Sequence, residues 1–584
     1  MNKCLCRTLL GASILLVVNT GHAHGYAGTV QPAGTQSSKK LVQQASTHRT
    51  YSANRESVQS ESIMVTSRHH ERVQTAPTPL ESASIPELHQ RLTNGPTSVG
   101  SLTQHFLNRI ADLDQSGPRV NSVIEINPDA MEIARALDLS PGKRGGRQSL
   151  FGIPILLKDN IDTGDQMQTS AGSLALTGTP AARDAPLVVK LRKAGAVILG
   201  KTNMSEWANF RSIDSTHGWS GRGGLTRNPH VLDRSACGSS SGSAAAVAAG
   251  FATVAIATET DMSIVCPSSA NGVVGIKPSL GLVSRTGIVP ISHNQDTAGP
   301  IARSVADAAA VLTVIAGSDP QDPYTKDADQ HATNYTRFLD PGALAGKRIG
   351  VVRALAGRPD LRVDRILTDT ISVLRAHGTT VIDPVVIPHV NDYGDAELTV
   401  LFYDLKHDLN AYLATRDGMP VRDLGELILF NKAHAAKEMP WFGQDAFIEA
   451  EIKGPLTDET YRTALARAKR LSGPEGIDAV MKKYKLDALL TPTTGPARTI
   501  DLVNGDHISV PSSSPAAVAG YPSISVPAGF IHCLPVGMSF FAGKWSEPTL
   551  IGIAYAFEQA THVYRSPQFL PTVADCEQSS SSTY

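Results

Sequence analysis

Cys237-Gly-Ser-Ser-Ser-Gly-Ser243 and Thr258-Glu-Thr-Asp-Met-Ser263 are joined by an Ala-rich run over 244–250 and an apolar run over 251–257. The first run reads as a helix, expected over 242–250, and the second as a buried strand, expected over 252–257. A helix of about ten residues advances roughly 15 Å. A strand of about six residues then returns roughly 20 Å. Loop, helix and strand together bring Ser263 back to the edge at which Ser239 began.

Upstream, Gly152-Ile-Pro-Ile-Leu-Leu-Lys158-Asp-Asn160 places a lysine at the end of a second apolar strand. A charged lysine is costly to bury, so such a lysine tends to lose its proton. The neutral amine is a base, and two hydroxyls lie within reach of the same sheet edge. Sites in α/β sheets lie outside strand ends of this kind. The three groups therefore offer a base and a nucleophile without a histidine or a metal. The helix after Gly242 also turns its free backbone N–H groups toward the serine loop.

Outward from this centre, strands are expected at 153–157 and 196–199 and a helix at 185–194. The alternation argues for an α/β core with a largely parallel sheet covered on both faces. Ser84-Ile-Pro-Glu87 reads as a helix start, and Leu102, Phe106, Leu107 and Ile110 recur at helical spacing. Residues 305–485 read as mostly helical, a cap around the pocket, with strand candidates at 349–352 and 380–382. Further strands are expected at 488–490 and 523–526.

The chain has 584 residues, 41% hydrophobic and 18% charged, as expected of a globular enzyme. Its formal net charge of -1 leaves no electrostatic footprint for nucleic acid. Residues 1–23 read as a secretory signal: Lys3 and Arg7, an apolar core over 9–18, and Gly21-His-Ala23 as cleavage site. The apolar core is short for a bilayer span, so no stable membrane span is expected after processing and the protein is expected to be periplasmic or secreted. Residues 24–82 are rich in Ser, Thr, Gln and His and read as a flexible segment ahead of a catalytic domain at 83–575. Four cysteines follow the signal: Cys237, Cys266, Cys533 and Cys576. Cys237 and Cys266 flank the serines and either pair or stay as buried thiols, the latter being the expectation. No spacing resembles a zinc site, and no metal or cofactor is expected.

Two motifs look like other chemistries. Gly195-Ala-Val-Ile-Leu-Gly-Lys-Thr202 has the letters of a phosphate loop, but its variable positions are those of a buried strand. Gly238-Ser-Ser-Ser-Gly242 has the letters of a nucleophile elbow centred on Ser240, yet no strand precedes it, so Ser240 is given a supporting role. Glu259 and Asp261 beside Ser263 are read as residues that orient the nucleophile loop or contact the amide nitrogen. Asp296, Trp207 and Trp441 are candidates for the pocket wall.

Together the quoted motifs resemble the amidase signature family. Further matching text is Gly195 through Trp207, Asn271-Gly-Val-Val-Gly-Ile-Lys-Pro278, Gln295-Asp-Thr-Ala-Gly-Pro300 and Tyr521-Pro-Ser-Ile-Ser-Val-Pro-Ala-Gly529. The resemblance covers roughly residues 85–570. It implies the family's fold, a large twisted mixed sheet, mainly parallel, between helices. It also implies a triad in which Lys158 is the base, Ser239 a bridging serine after a cis peptide bond, and Ser263 the nucleophile. Backbone N–H groups around Thr260, Asp261 and Met262 would hold the oxyanion. Trp207-Ala-Asn-Phe-Arg211, Arg222-Gly-Gly224 and Glu438-Met-Pro-Trp-Phe-Gly443 look most like the bacterial peptide amidases, which deaminate C-terminal peptide amides.

The implied function is hydrolysis of a carboxamide to acid and ammonia through an acyl-serine. Other linear or aryl amides are the alternative substrates. One departure stands out: the family usually has glycine before the nucleophile, where this chain has Met262. A left-handed backbone there costs a methionine about 1–2 kcal/mol, and an impaired, peptide-binding relative is the contrasting expectation. The tRNA amidotransferase subunit shares the signature but conflicts with the export signal and the neutral charge.

Overall fold

The apolar run before Lys158 and the apolar run before Thr258 become adjacent, fully buried strands at the heart of one sheet. The structure is a computed structural model that describes residues 78–140, 150–356, 360–506 and 512–576. The expected export signal and nearly all of the segment 24–82 lie outside the described residues. The first described turn, Leu80–Ser82, begins just ahead of the expected boundary.

In chain order the strands are β1 (Val123–Ile126), β2 (Pro154–Lys158), β3 (Val197–Thr202), a two-stranded ribbon β4 (Trp219–Ser220) and β5 (Gly224–Leu225), and β6 (Val254–Glu259). There follow β7 (Val274–Lys277), β8 (Thr297–Ala302), β9 (Arg348–Val351), β10 (Thr380–Ile382), β11 (Ala488–Pro492), β12 (Ser523–Ile531) and β13 (Leu534–Phe541). All but the ribbon form one 11-stranded sheet in the order β1-β3-β2-β6-β8-β7-β12-β13-β11-β9-β10. The sheet is mixed. β3, β2 and β6 run parallel in one block and β11, β9 and β10 in another, with antiparallel pairings between them and at the β1 edge.

The parallel central strands are buried on both faces, so they carry unbroken apolar runs that the sequence displays openly. The antiparallel strands β7, β8 and β13 carry Gly and Pro among their apolar residues, and no strand was expected there. β9 and β10, expected inside a helical cap, instead extend the sheet, because the short apolar stretch of β9 pairs with β11 and that of β10 pairs with β9. Of the later helices, Gly394–Leu413 supplies part of the wall of the cleft described below, through His407, Asp408, Ala411 and Tyr412.

The first helices are α1 (Ile85–Asn94), α2 (Val99–Arg109), α3 (Ala130–Asp138), α4 (Pro186–Lys193), α5 (Ser241–Ala248), α6 (Val265–Ala270) and α7 (Val305–Ile315). α1 opens on a reciprocal capping box. The Ser84 N–H donates to Glu87 Oε2 at 2.7 Å, and the Glu87 N–H donates to Ser84 Oγ at 3.4 Å. Helices cover both faces. α5 and α6 pack together on the sheet as one group, and α7 packs with the helix Glu547–Thr561 as another. Among the described residues no helix is long and apolar enough to cross a membrane.

Candidate active site

The loop–helix–strand path closes as its lengths require. β2 and β6 are parallel neighbours, Leu157 opposite Ile256, so Lys158 and Thr258 emerge at the same edge. α5 starts there too, because Gly242 passes so close to β1 and β3 that a Cβ would lie 2.3 Å from the Ser122 carbonyl oxygen. Only glycine permits that approach. The Gly242 N–H donates to the Asn203 carbonyl at 3.0 Å, and the Thr202 and Ser243 hydroxyls meet at 2.8 Å. The serine loop is thereby pinned to the end of β3.

Lys158 is wholly buried. Its Nζ donates to Ser239 Oγ at 2.8 Å, to Thr258 Oγ1 at 2.9 Å and to the Thr258 carbonyl at 3.2 Å. Burial lowers its pKa to about 7, against the opposing pull of Asp296 and Glu259. Those two carboxyls are themselves weakened by burial, Asp296 pushed up to about 6 and Glu259 to about 7. The amine is therefore available as a base near neutral pH.

Ser239 follows a cis peptide bond from Gly238, as the family resemblance implied. Ser263 lies beside this loop: its carbonyl accepts the Ser240 N–H at 3.2 Å, and its hydroxyl donates to the Asp261 carbonyl at 3.3 Å. Among the described residues no hydrogen bond joins the Ser239 and Ser263 hydroxyls directly. Catalytic contacts of this kind often tighten only when substrate is bound. Ser240 donates its hydroxyl to the Thr258 carbonyl at 3.0 Å, steadying the residue that holds the lysine.

The loop before Ser263 is braced from three sides. Glu259 accepts the N–H groups of Ile264 at 2.7 Å and Val265 at 3.0 Å, which fixes the entry to α6. The Thr260 hydroxyl donates to Asp296 Oδ1 at 2.6 Å. Asp261 accepts the Ser513 hydroxyl on Oδ1 and the Ser514 hydroxyl, at 2.5 Å, on Oδ2. Glu397 lies beside it, and burial together with the Asp261 charge pushes the Glu397 carboxyl up to about 8. The acidic residues orient the loop, as expected. Met262 adopts a left-handed backbone with φ 63° and packs against a small apolar cluster that includes Val231, Ala497 and Leu534. Among the described residues, the N–H groups of Asp261, Met262 and Ser263 donate to no protein acceptor.

The cysteines depart from expectation. Cys237 and Cys266 form a disulfide, because the same path that returns Ser263 to Ser239 brings their Cα atoms to 6.0 Å. Cys533 and Cys576 form a second, for which the sequence offered no pairing signal.

A cleft of about 780 Å³ opens beside the lysine; Asn160, Thr258, Thr260 and Asp296 form part of its wall. Asp296 lines it as expected; Trp207 and Trp441 are not among its lining residues. Trp207 packs edge-to-face on Phe447 in a separate core cluster, and Trp441 is half-exposed. On the far wall Asp408 accepts from His293 Nδ1 and His407 Nδ1, both at 2.8 Å. The Gly195–Thr202 motif is a buried strand whose Lys201 donates to the Ile161 carbonyl at 2.6 Å, so it forms no phosphate loop.

Two of the three motifs nearest the peptide amidases, Trp207–Arg211 and Glu438–Gly443, meet through Arg211, and the third is fastened elsewhere. Arg211 and Glu206 form a wholly buried ion pair at 2.5 Å, and burial together with the neighbouring Glu438 charge raises the Glu206 carboxyl well above its ordinary pKa. Arg211 lies over the Phe442 ring at 4.4 Å and donates to the Gly443 carbonyl at 2.9 Å. Arg222 reaches Glu125 and Asp159.

Thr258, Asn160, Glu397, Ser513 and Ser514 belong to the site and were assigned no role from the sequence. Thr258 and Asn160 stood inside quoted motifs, and their backbone positions at the strand ends were the available signal. The other three come from segments more than a hundred residues away and carried none.

Fold and site together define the class, the amidase-signature hydrolases. The chain belongs to the amidase family, whose sequence profile matches residues 101–551, and it is an amidohydrolase. The solved structure of the native peptide amidase from Stenotrophomonas maltophilia is 51% identical, with TM-score 0.79, covering 84% of this chain and 99% of that one. A probable amidase of Arabidopsis thaliana is 40% identical over 501 residues, 84% of this chain and 92% of the relative. A glutamyl-tRNA(Gln) amidotransferase subunit from Carboxydothermus hydrogenoformans is 32% identical over 506 residues, 83% of this chain and 98% of the relative.

Proposed function

We propose that this amidohydrolase removes ammonia from the C-terminal carboxamide of peptides through an acyl-serine intermediate. The observation that carries the proposal is the buried Lys158, near neutral in pKa and hydrogen-bonded to Ser239 beside Ser263. In this reading neutral Lys158 takes the proton of Ser239 as Ser239 takes that of Ser263. Ser263 Oγ attacks the amide carbon, and the carbonyl electron pair moves onto oxygen. The N–H groups of Asp261, Met262 and Ser263 stabilise that oxyanion, a contribution commonly near 3 kcal/mol. The relay returns the proton to the leaving nitrogen, ammonia departs, and water releases the acid by the same steps.

The cleft volume suits a short peptide, and its wall mixes the apolar run Ile288–Ile291 with charged pairs. Hydrolysis is preferred to ammonia transfer because the peptide amidase is 51% identical and the tRNA amidotransferase relative 32%. Two disulfides suit an oxidising compartment, which supports export.

Purified protein is expected to release ammonia from amidated dipeptides, and Ser263→Ala to abolish release. Activity should rise with pH through about 7, as Lys158 loses its proton. Release from aryl or fatty amides but from no peptide amide would move the substrate to the alternative class. Silence across the whole panel would remove the proposal.

A further inference from the structure

Cys237 lies two residues before Ser239, and Cys266 three residues after Ser263. Their bond therefore ties together the two segments that carry the serines. Between the serines themselves, the Ser240 N–H to Ser263 carbonyl contact at 3.2 Å forms the second tie. The two links close a small ring around the serine pair: Cys237 to Ser240 on one side, Ser263 to Cys266 on the other. Both segments enter this ring in left-handed backbone, at Cys237 with φ 54° and at Met262 with φ 63°. Such conformations persist where surrounding structure over-determines them.

The rest of the region is fastened independently. Asn271 Nδ2 donates to the Ala236 carbonyl and Asn228 Nδ2 to the Ala270 carbonyl, each near the ring but outside it. The Cys266 N–H donates to the Met262 carbonyl at 2.9 Å, so α6 starts without help from the sulfur. These contacts hold the segments in the fold if the disulfide is opened, while the spacing of the two hydroxyls loses its covalent restraint. A small pocket lined by His217, Ser235, Ala497 and Asp506 reaches both cysteines.

We propose that the Cys237–Cys266 disulfide is a positioning element of the active site, and that its reduction slows turnover while the fold persists. The inference rests on Ser263 being the nucleophile and Ser239 its proton relay. The reductant is a dithiol. One of its thiolates attacks one cysteine sulfur, forming a mixed disulfide and releasing the other cysteine as thiolate. Its second thiolate then attacks the dithiol sulfur of that mixed disulfide and releases the remaining cysteine. Cys237 and Cys266 gain two electrons and two protons and become thiols, and the dithiol leaves as its cyclic disulfide.

The test uses the full chain with Cys533→Ser and Cys576→Ser, so that one disulfide remains to be reduced, and repeats the measurement on wild type with thiols mapped by alkylation mass. Graded dithiothreitol is followed by circular dichroism, by ammonia release from an amidated dipeptide, and by fluorophosphonate labelling of Ser263. Reduction is expected to lower kcat and the labelling rate together by about a hundredfold, since small displacements of reacting groups cost that much. KM should change by less than about threefold, because substrate contacts outside the ring are untouched. Reoxidation should restore both rates. Equal labelling of oxidised and reduced folded protein overturns the inference, as does loss of the fold on reduction. Failure of the oxidised protein to label at Ser263 instead defeats the proposed mechanism itself, so the two failures are distinguishable.

Discussion

Replacing Lys158 by methionine should abolish catalysis and make the protein more stable. The lysine is wholly buried, and its pKa falls from 10.5 to about 7 on folding. A drop of about 3.5 pH units is worth about 4 kcal/mol at pH 7, where half the native lysines still hold a proton. Methionine has similar length and no charge, so this cost disappears. Against that, Ser239 Oγ and the Thr258 acceptors lose their partner. Unpaired buried groups of this kind cost about 1–3 kcal/mol. The variant should therefore gain about 1–3 kcal/mol at pH 7.

The pH dependence identifies the cause. Between pH 7 and 10.5 the unfolded lysine is protonated and the folded one is not, so the unfolded state binds more protons. Wild-type stability must then rise with pH by up to about 1.4 kcal/mol per pH unit from this site, and the variant lacks the rise. The advantage of Lys158→Met should be greatest at and below pH 7 and vanish by about pH 10, while the other titrating groups cancel in the difference. Urea unfolding of both proteins at pH 7, 8 and 9, with disulfides intact, measures it. A variant less stable at pH 7, or a difference that does not change with pH, refutes the assignment of a buried neutral amine.

Arg211→Met should have the opposite effect, a loss of about 3–5 kcal/mol, because it leaves the buried Glu206–Glu438 pair without its cation. Urea midpoints of the two methionine variants side by side test the contrast. Met262→Gly should change stability by less than about 1 kcal/mol, since relief of the left-handed backbone offsets added chain entropy and lost packing. Fluorophosphonate should label Ser263 in both proteins; labelling in the glycine variant alone would mean that the natural chain is catalytically silent. Cys533→Ser with Cys576→Ser opens a loop spanning 43 residues and should lower stability by up to about 4 kcal/mol. Its kcat should equal that of wild type, and a fall would place that disulfide in the catalytic apparatus.

The central architecture was legible because buried parallel strands must be apolar throughout. The runs ending at Lys158 and Glu259 announce β2 and β6, and strand length alone returns Thr258 to the lysine. The antiparallel strands β7, β8 and β13 were not legible, since Gly275, Gly299, Pro300, Pro535 and Gly537 blur their signal and their pairing partners lie elsewhere in the chain. The disulfide between Cys237 and Cys266 was not legible for the same reason: two cysteines say nothing of their separation until the chain between them is folded.

The sequence by itself determined the sheet edge, the candidate base and the two candidate hydroxyls, because helix rise and strand rise are properties of the local backbone. Tertiary structure alone decided that Thr258 grips the lysine through two oxygens, that Ser513 and Ser514 brace Asp261 with Glu397 close by, and that Met262 takes a left-handed turn. Those outcomes depend on which distant segments arrive at the same place and how deeply water is excluded there. No local pattern of residues encodes either quantity.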